Sequence, residues 1–148
     1  WQTNRETHPM WRLAAISIAI LAMVGAASAQ DRTESKTGAE LYFISPGDGE
    51  TVSGKVSVRF GLRGMGVAPA GIDKAGTGHH HLIIDAPLQP MDEPILKDAH
   101  HRHFGGGQTE VDIELAPGPH TLQLVLGDHN HVPHSPPVVS ERITVTVE

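Results

Sequence analysis

Residues 55–62, Lys55-Val56-Ser57-Val58-Arg59-Phe60-Gly61-Leu62, alternate between polar and apolar side chains. Successive side chains of an extended strand point to opposite faces, so this alternation predicts a strand with one buried and one solvated face. Similar patterns follow along the chain, and a short apolar run precedes them; these segments are residues 41–44, 79–85, 109–115, 120–127 and 138–147. The chain therefore reads as a series of short strands.

Turn signals rich in glycine and proline separate these segments at intervals of roughly 8–12 residues. About six or seven short strands of this kind predict an all-β fold, an antiparallel immunoglobulin-like (or cupredoxin-like) β-sandwich. Within residues 86–108 we expect mostly loop, with a short strand near Ile95-Leu96.

The N-terminal part of the chain predicts a leader. Residues 13–24 form an uncharged apolar run after Arg12, and Ala27-Ser28-Ala29 follows as a small-x-small cleavage signature. The run is too short for a membrane span, so residues 1–29 are expected to form an N-terminal signal peptide. Met10 is the better start, which places residues 1–9 upstream of it.

The leader implies an exported protein, periplasmic or secreted, with no stable membrane insertion after cleavage. Residues 30–39 are polar with mixed charges and predict a flexible tether. Residues 40–148 then have the length of a single β-sandwich domain.

Composition narrows the function classes. The chain carries 17 acidic against 11 basic residues, a net charge of −6, and no cysteine. An acidic chain without basic clusters is a poor nucleic-acid binder, because phosphate neutralisation needs lysine and arginine. Without thiolates, any bound metal must be held by nitrogen and oxygen donors.

The clustered histidines are the residues that say most about function. Of 11 histidines, all but His8 lie between His79 and His134, mostly in three groups at residues 79–81, 100–103 and 129–134. Imidazole is the commonest metal ligand, and two imidazoles at positions i and i+2 of one strand share a face. The candidate metal ligands are His79, His81, His101, His103, His131 and His134, forming one site or two.

Topology predicts that the three groups meet. If the strands run alternately up and down, the starts of 79–85 and 109–115 and the end of 120–127 lie at one end of the sandwich. His120 begins its strand and is expected at the opposite end. Loops at one end of a rigid β scaffold commonly build binding sites.

Three polar side chains lie within or beside these groups: Gln108, Glu110 and Asp128. We expect them to orient the imidazoles through hydrogen bonds, since metal-bound histidines usually donate their second ring N–H to an acceptor. Asp128 is also a candidate ligand.

The chain has no Gly-x-Ser-x-Gly, His-Glu-x-x-His or phosphate-loop motif. It therefore predicts a transition-metal-binding protein for metal buffering or delivery, with copper as the first choice and zinc as the second. Two alternatives stay open. One is a non-metal envelope or partner-binding immunoglobulin-like module whose histidines hold loops by hydrogen bonds. The other is a metal-dependent enzyme with an open coordination position.

Four motifs add a resemblance: Gly76-Thr77-Gly78-His79-His80-His81-Leu82-Ile83-Ile84-Asp85, His103-Phe104-Gly105-Gly106-Gly107-Gln108-Thr109-Glu110, Pro117-Gly118-Pro119-His120-Thr121-Leu122-Gln123-Leu124 and Asn130-His131-Val132-Pro133-His134-x-Pro136-Pro137. With them the chain resembles a bacterial family of exported, histidine-rich domains of unknown function, over about residues 40–148. The resemblance implies a small secreted β domain.

Overall fold

The computed structural model describes residues 32–148, and the predicted leader lies outside the described residues. The described chain contains strands and loops but no helix, and so no helix that could cross a membrane. The strands are β1 (Glu40–Ser45), β2 (Thr51–Val52), β3 (Val56–Arg63), β4 (Gly66–Val67), β5 (Thr77–Ile84), β6 (His101–His103), β7 (Glu110–Ile113), β8 (Gly118–Gly127) and β9 (Ile143–Val147).

The strands form two sheets. The smaller has the order β1-β3-β7, with both pairings antiparallel. The larger has the order β2-β9-β8-β5-β4, and β6 also pairs with β5. Its central pairings, β5 with β8 and β8 with β9, are antiparallel, whereas the short edge strands β2 and β4 pair in parallel.

The main core lies between the two sheets. Alternate residues of β3, Val56, Val58 and Phe60, pack with the inward residues of β8, Leu122, Leu124 and Leu126. All six are at most 3% exposed, as the period-2 alternation requires. The predicted all-β sandwich is confirmed.

A second, smaller apolar cluster covers the outer face of the large sheet. Ile83 of β5 and Val125 of β8 pack there against Ile95, which lies in the long connection between β5 and β6. Ile95 and Leu96 do not form the short strand that we expected. The strand of this region is instead β6, which continues the sheet beside β5 and carries two histidines.

Residues 32–35 lie against the loop that follows β8. The backbones of Thr33 and Ser35 exchange hydrogen bonds with Ser135, and the Arg32 guanidinium donates to the carbonyls of Pro133 and His134. The described part of the predicted tether is thus bonded to the sandwich. The boundaries predicted for leader, tether and domain stay predictions.

Candidate metal centre

Strand β5 presents its three histidines to opposite faces. His80 points into the main core, where its ring centroid lies 5.0 Å from that of Phe60. His79 and His81 face outward on the large sheet, yet each is only 1% exposed, and the rings of His103 and His131 pack against them. The i, i+2 pair therefore shares one face, as the strand period predicts.

Strand β6 brings the next imidazole. His103 is paired directly with His81 in the antiparallel register, and opposed residues of neighbouring strands share a face. The two ring centroids are 5.1 Å apart. A three-residue strand within a glycine-rich connection thus adds one histidine to the pair on β5.

The loop after β8 supplies a fourth imidazole. The Asp128 carboxylate accepts backbone N–H bonds from Asn130 (2.8 Å) and Val132 (3.0 Å), and the Asp128 carbonyl accepts one from His131 (2.9 Å). These bonds hold His131 in the left-handed region at φ 68°. Its carbonyl accepts a hydrogen bond from the Ile95 N–H, which ties this loop to the β5–β6 connection.

The four ring centroids lie at the corners of an irregular tetrahedron. Their six centroid separations run from 4.7 Å, for His79–His81 and His103–His131, to 6.1 Å, for His81–His131. Four imidazoles bound tetrahedrally to one ion at about 2.0–2.1 Å would have ring centroids roughly 5 Å apart. The cluster of His79, His81, His103 and His131, called here the imidazole cluster, has those dimensions.

Three rings of the cluster have buried nitrogens without protein partners. Within residues 32–148, both nitrogens of His79 and of His81 and Nε2 of His103 are buried without a hydrogen bond. One nitrogen from each of these three rings lies within 4.8 Å of the other two, close enough to hold one metal ion. A buried polar atom without a partner costs about 1–3 kcal/mol, so such a concentration calls for a ligand.

The electrostatics keep the buried rings neutral. Burial, and then the nearby His103 and His131, lower the pKa of His79 to about 4, although Asp128 acts in the opposite direction. Burial, and then the neighbouring His79, His103 and His131, lower the pKa of His81 to about 2. The pKa of His103 is lowered by burial and then by His131. A neutral imidazole offers the lone pair that a metal needs.

Two glycines leave the space that the rings occupy. A Cβ on Gly127 would lie 2.7 Å from Cε1 of His81, and a Cβ on Gly105 would lie 2.8 Å from Nε2 of His103. Neither glycine has a positive φ. Side-chain clearance, rather than backbone conformation, therefore accounts for them.

Comparison with known proteins gives a family. Residues 58–148 match the family described as Domain of unknown function (DUF4399). The chain belongs to this family. The prediction of a family of unknown function is thereby confirmed, although the match begins later than residue 40. Searches of curated proteins and of solved structures found no significant match.

Two of the six candidate ligands lie outside the imidazole cluster of this DUF4399 chain. His134 is fully buried, with Nε2 3.1 Å from the Thr77 carbonyl and Nδ1 3.4 Å from the Leu126 carbonyl, so it bridges β5 and β8. His101 shares the outer face with His103, but its Nδ1 lies 2.8 Å from Asp98 Oδ1. The structure thus brings four of the candidates together.

The three expected supporting side chains have different places. Asp128 shapes the loop that carries His131; burial raises its pKa, but hydrogen bonds from Thr33, Val132 and Asn130 outweigh burial and lower it. The Gln108 amide oxygen accepts from the Gly106 N–H, within its own turn. Glu110 lies on β7 of the small sheet and pairs with Arg59 at 3.5 Å, remote from the cluster.

His120 lies at the other end of β8, as the topology predicts. Its Nδ1 is 2.6 Å from Asp85 Oδ2 and its Nε2 is 2.7 Å from the Ala116 carbonyl. Hydrogen bonds to both oxygens raise the pKa of His120, since acceptors on both ring nitrogens favour imidazolium.

Three residues that support the cluster were not predicted from the sequence. Gly127 and Gly105 were not singled out for ring clearance, and Thr33, whose hydroxyl donates to Asp128 at 2.7 Å, was assigned to the tether. The glycines follow or precede a histidine group closely in sequence, which is a usable signal. The Thr33 contact spans 95 residues, and no local pattern indicates it.

Proposed function

We propose that this chain is an exported protein that binds one transition-metal ion for buffering or delivery, with copper as the first choice. His79, His81 and His103 are the proposed ligands, and His131 completes the set. One observation carries the proposal: buried nitrogens of His79, His81 and His103 have no hydrogen-bond partner among the described residues, and one nitrogen from each ring lies within 4.8 Å of the other two.

The alternative, a non-metal interaction module, predicts different contacts for the histidines. If they only held loops together, their ring nitrogens would bond to backbone groups. His134 and His100 do so, through the carbonyls of Thr77 and Ile84. His79 and His81 do not. The contrast within one chain supports a metal-binding role for the cluster.

Copper is preferred because imidazole is among its usual protein ligands and because nitrogen donors, all else being equal, bind copper more tightly than the other first-row metals. Zinc is the second candidate, favoured by a specific observation: the rings are disposed tetrahedrally, which is the usual geometry of zinc.

The number of imidazoles in the cluster favours a metal-binding protein over a metal-dependent enzyme. With His131 as the fourth ligand beside the three grouped histidines, a tetrahedral ion has no open position for substrate or water, whereas catalytic sites generally use three protein ligands. Export is proposed from the sequence of residues 1–29, with a periplasmic or secreted destination.

The test is metal stoichiometry in the protein expressed without a histidine tag and purified in its exported form. Elemental analysis after incubation with copper or zinc should give close to one ion per chain. His103→Ala should abolish binding, because it removes one of the three grouped ligands.

His129→Ala is the matched control. His129 is also partly buried and lies near the cluster in sequence, but its ring contacts Asn130 and Asp73. It should retain the metal. Absence of metal from the unmodified chain, or equal retention in both variants, would contradict the proposal.

A further inference from the structure

The ligands of the imidazole cluster carry no negative charge. Both oxygens of Asp128, the acidic neighbour of His79, are engaged elsewhere: Oδ1 accepts from the backbone of Asn130 and Val132, and Oδ2 accepts from the Thr33 hydroxyl. Asp98 Oδ1 accepts backbone bonds from His100 and His101 and contacts the ring of His101. Neither carboxylate is therefore a ligand of an ion between the rings, although the charge of Asp128 acts on His79 from outside the cluster.

Because the site is buried, the charge of a bound ion affects the free energy of binding. His79 and His81 are each 1% exposed, so the inner half of an ion bound there faces protein rather than water. The idealised cost of transferring an ion into a medium of low dielectric constant rises with the square of its charge. Among four neutral ligands, the desolvation cost of a dication is thus about four times that of a monocation of the same radius.

The scaffold also fixes the geometry. His79 and His81 project from β5, which pairs with β8 on one side and with β6 on the other. Because Gly127 and Gly105 carry no Cβ, the rings of His81 and His103 fit in their present positions. Cu(II) prefers a tetragonal arrangement of nitrogens, whereas the six separations of the ring centroids describe an irregular tetrahedron.

From these three observations we infer that the ion for which the cluster is built is monovalent copper, held more tightly than Cu(II) and Zn(II). Cu(I) carries one charge, and its filled d shell accepts tetrahedral imidazoles. The inference rests on the proposed metal-binding function and adds the charge and oxidation state of the ion.

Competition titrations test it directly on the exported protein. Cu(I) is titrated without oxygen against bathocuproine disulfonate, and Cu(II) and Zn(II) are titrated against nitrilotriacetate. We expect the Cu(I) dissociation constant to be lower than either of the others by roughly a hundredfold or more. Tighter binding of Cu(II) or Zn(II) would overturn the inference while leaving the proposed function intact.

A matched pair of variants isolates the charge. His131 has a positive φ, and asparagine and aspartate are among the residues that tolerate this conformation best. His131→Asp and His131→Asn therefore change the same position with little backbone strain, and differ by one negative charge. The ratio of Cu(I) to Zn(II) affinity should fall about tenfold or more in the aspartate variant relative to the asparagine variant.

Equal ratios in the two variants would overturn the argument from charge. If the unmodified chain binds neither copper ion nor zinc, the proposed function fails first and the inference with it. The two failures are thus distinguished by whether any metal binds at all.

Discussion

His131 combines a strained backbone with a role in the imidazole cluster. A residue other than glycine at φ 68° costs on the order of 1–3 kcal/mol unless its surroundings hold it. Here the Asp128 carboxylate fixes the turn through its flanking N–H groups, and Ile95 bonds to the His131 carbonyl. Strain of this kind concentrates at functional sites, which agrees with the place of His131 in the cluster.

Filling the space beside the His103 ring, with all four imidazoles kept, should weaken metal binding. In Gly105→Ala the new Cβ would overlap the His103 ring, which must turn away from the cluster. We expect metal affinity to fall by about tenfold or more, while the free energy of unfolding of the metal-free protein changes by less than about 1 kcal/mol. Chelator competition and urea unfolding measure the two quantities.

The control for this variant is the adjacent glycine. A Cβ on Gly106 would instead meet the Gln108 amide nitrogen at 2.9 Å. Gly106→Ala should therefore leave metal affinity unchanged. An equal loss in both variants would point to a general disturbance of the turn, or to a supporting role for Gln108.

The lowered pKa values of the buried rings predict an acid-sensitive apoprotein. Folding lowers the pKa of His79 from 6.5 to about 4 and that of His81 from 6.5 to about 2. Below pH 6.5 the unfolded chain therefore binds more protons than the folded chain, and stability must decrease as the pH falls. Urea midpoints of the metal-free protein should drop steadily from about pH 6.5 to about pH 4.

Replacing both of these histidines by leucine provides the comparison. The double variant has no such rings to protonate, so its urea midpoint should depend less on pH over the same interval. An unchanged slope would show that other groups cause the acid sensitivity.

Strand β5 is the element that joins the core to the site. Its inward residues Leu82 and Ile84 pack between the sheets, and its outward residues His79 and His81 enter the imidazole cluster. A shift of one residue in its register would exchange the two faces. The apolar packing therefore also fixes which histidines face outward.

The N-terminal segment is a second element that bears on the site. Thr33 donates to the Asp128 carboxylate, and hydrogen bonds to charged groups contribute about 1.5–3 kcal/mol. Thr33→Val should loosen the loop that carries His131 and weaken metal binding by roughly threefold to tenfold. Chelator competition measures the change.

Thr37→Val is the control for this prediction, because Thr37 is an exposed residue of the same segment. It should bind metal as tightly as the unmodified chain. If both valine variants bind normally, the Thr33 contact is structural and does not position the site.

At the scale of the whole molecule, the cluster exists only in the folded chain. Its rings come from β5, from β6 and from the loop after β8, and the residues span positions 79 to 131. An unfolded chain cannot hold these rings around one ion, so metal binding must be linked to folding.

A bound ion should therefore raise the melting temperature. Metal at about 100 times its dissociation constant adds about 2.7 kcal/mol, which corresponds to a rise of roughly 10 °C for a domain of this size. Calorimetry with and without copper measures the shift, and a chelator should reverse it. His103→Ala should show little shift; a comparable rise in that variant would indicate binding outside the cluster.

The sequence by itself determined the strands and the sandwich, because side-chain alternation is a local property that the chain carries in its own order. It also determined that His79 and His81 share a face, since the period of a strand is 2. Rings that come from separate elements were harder to assign. The sequence marked His103 and His131 as candidate ligands, but no local pattern distinguished them from His101 and His134.

Only the tertiary structure made that separation. Nδ1 of His101 is held by Asp98, and His134 by carbonyls of two strands, whereas His79, His81 and His103 bring unpartnered ring nitrogens together on the outer face of the large sheet. The assignment depends on the register between β5 and β6 and on contacts as distant as Thr33 with Asp128. Register and long-range hydrogen bonds arise from packing between segments, and a pattern within one segment does not encode them.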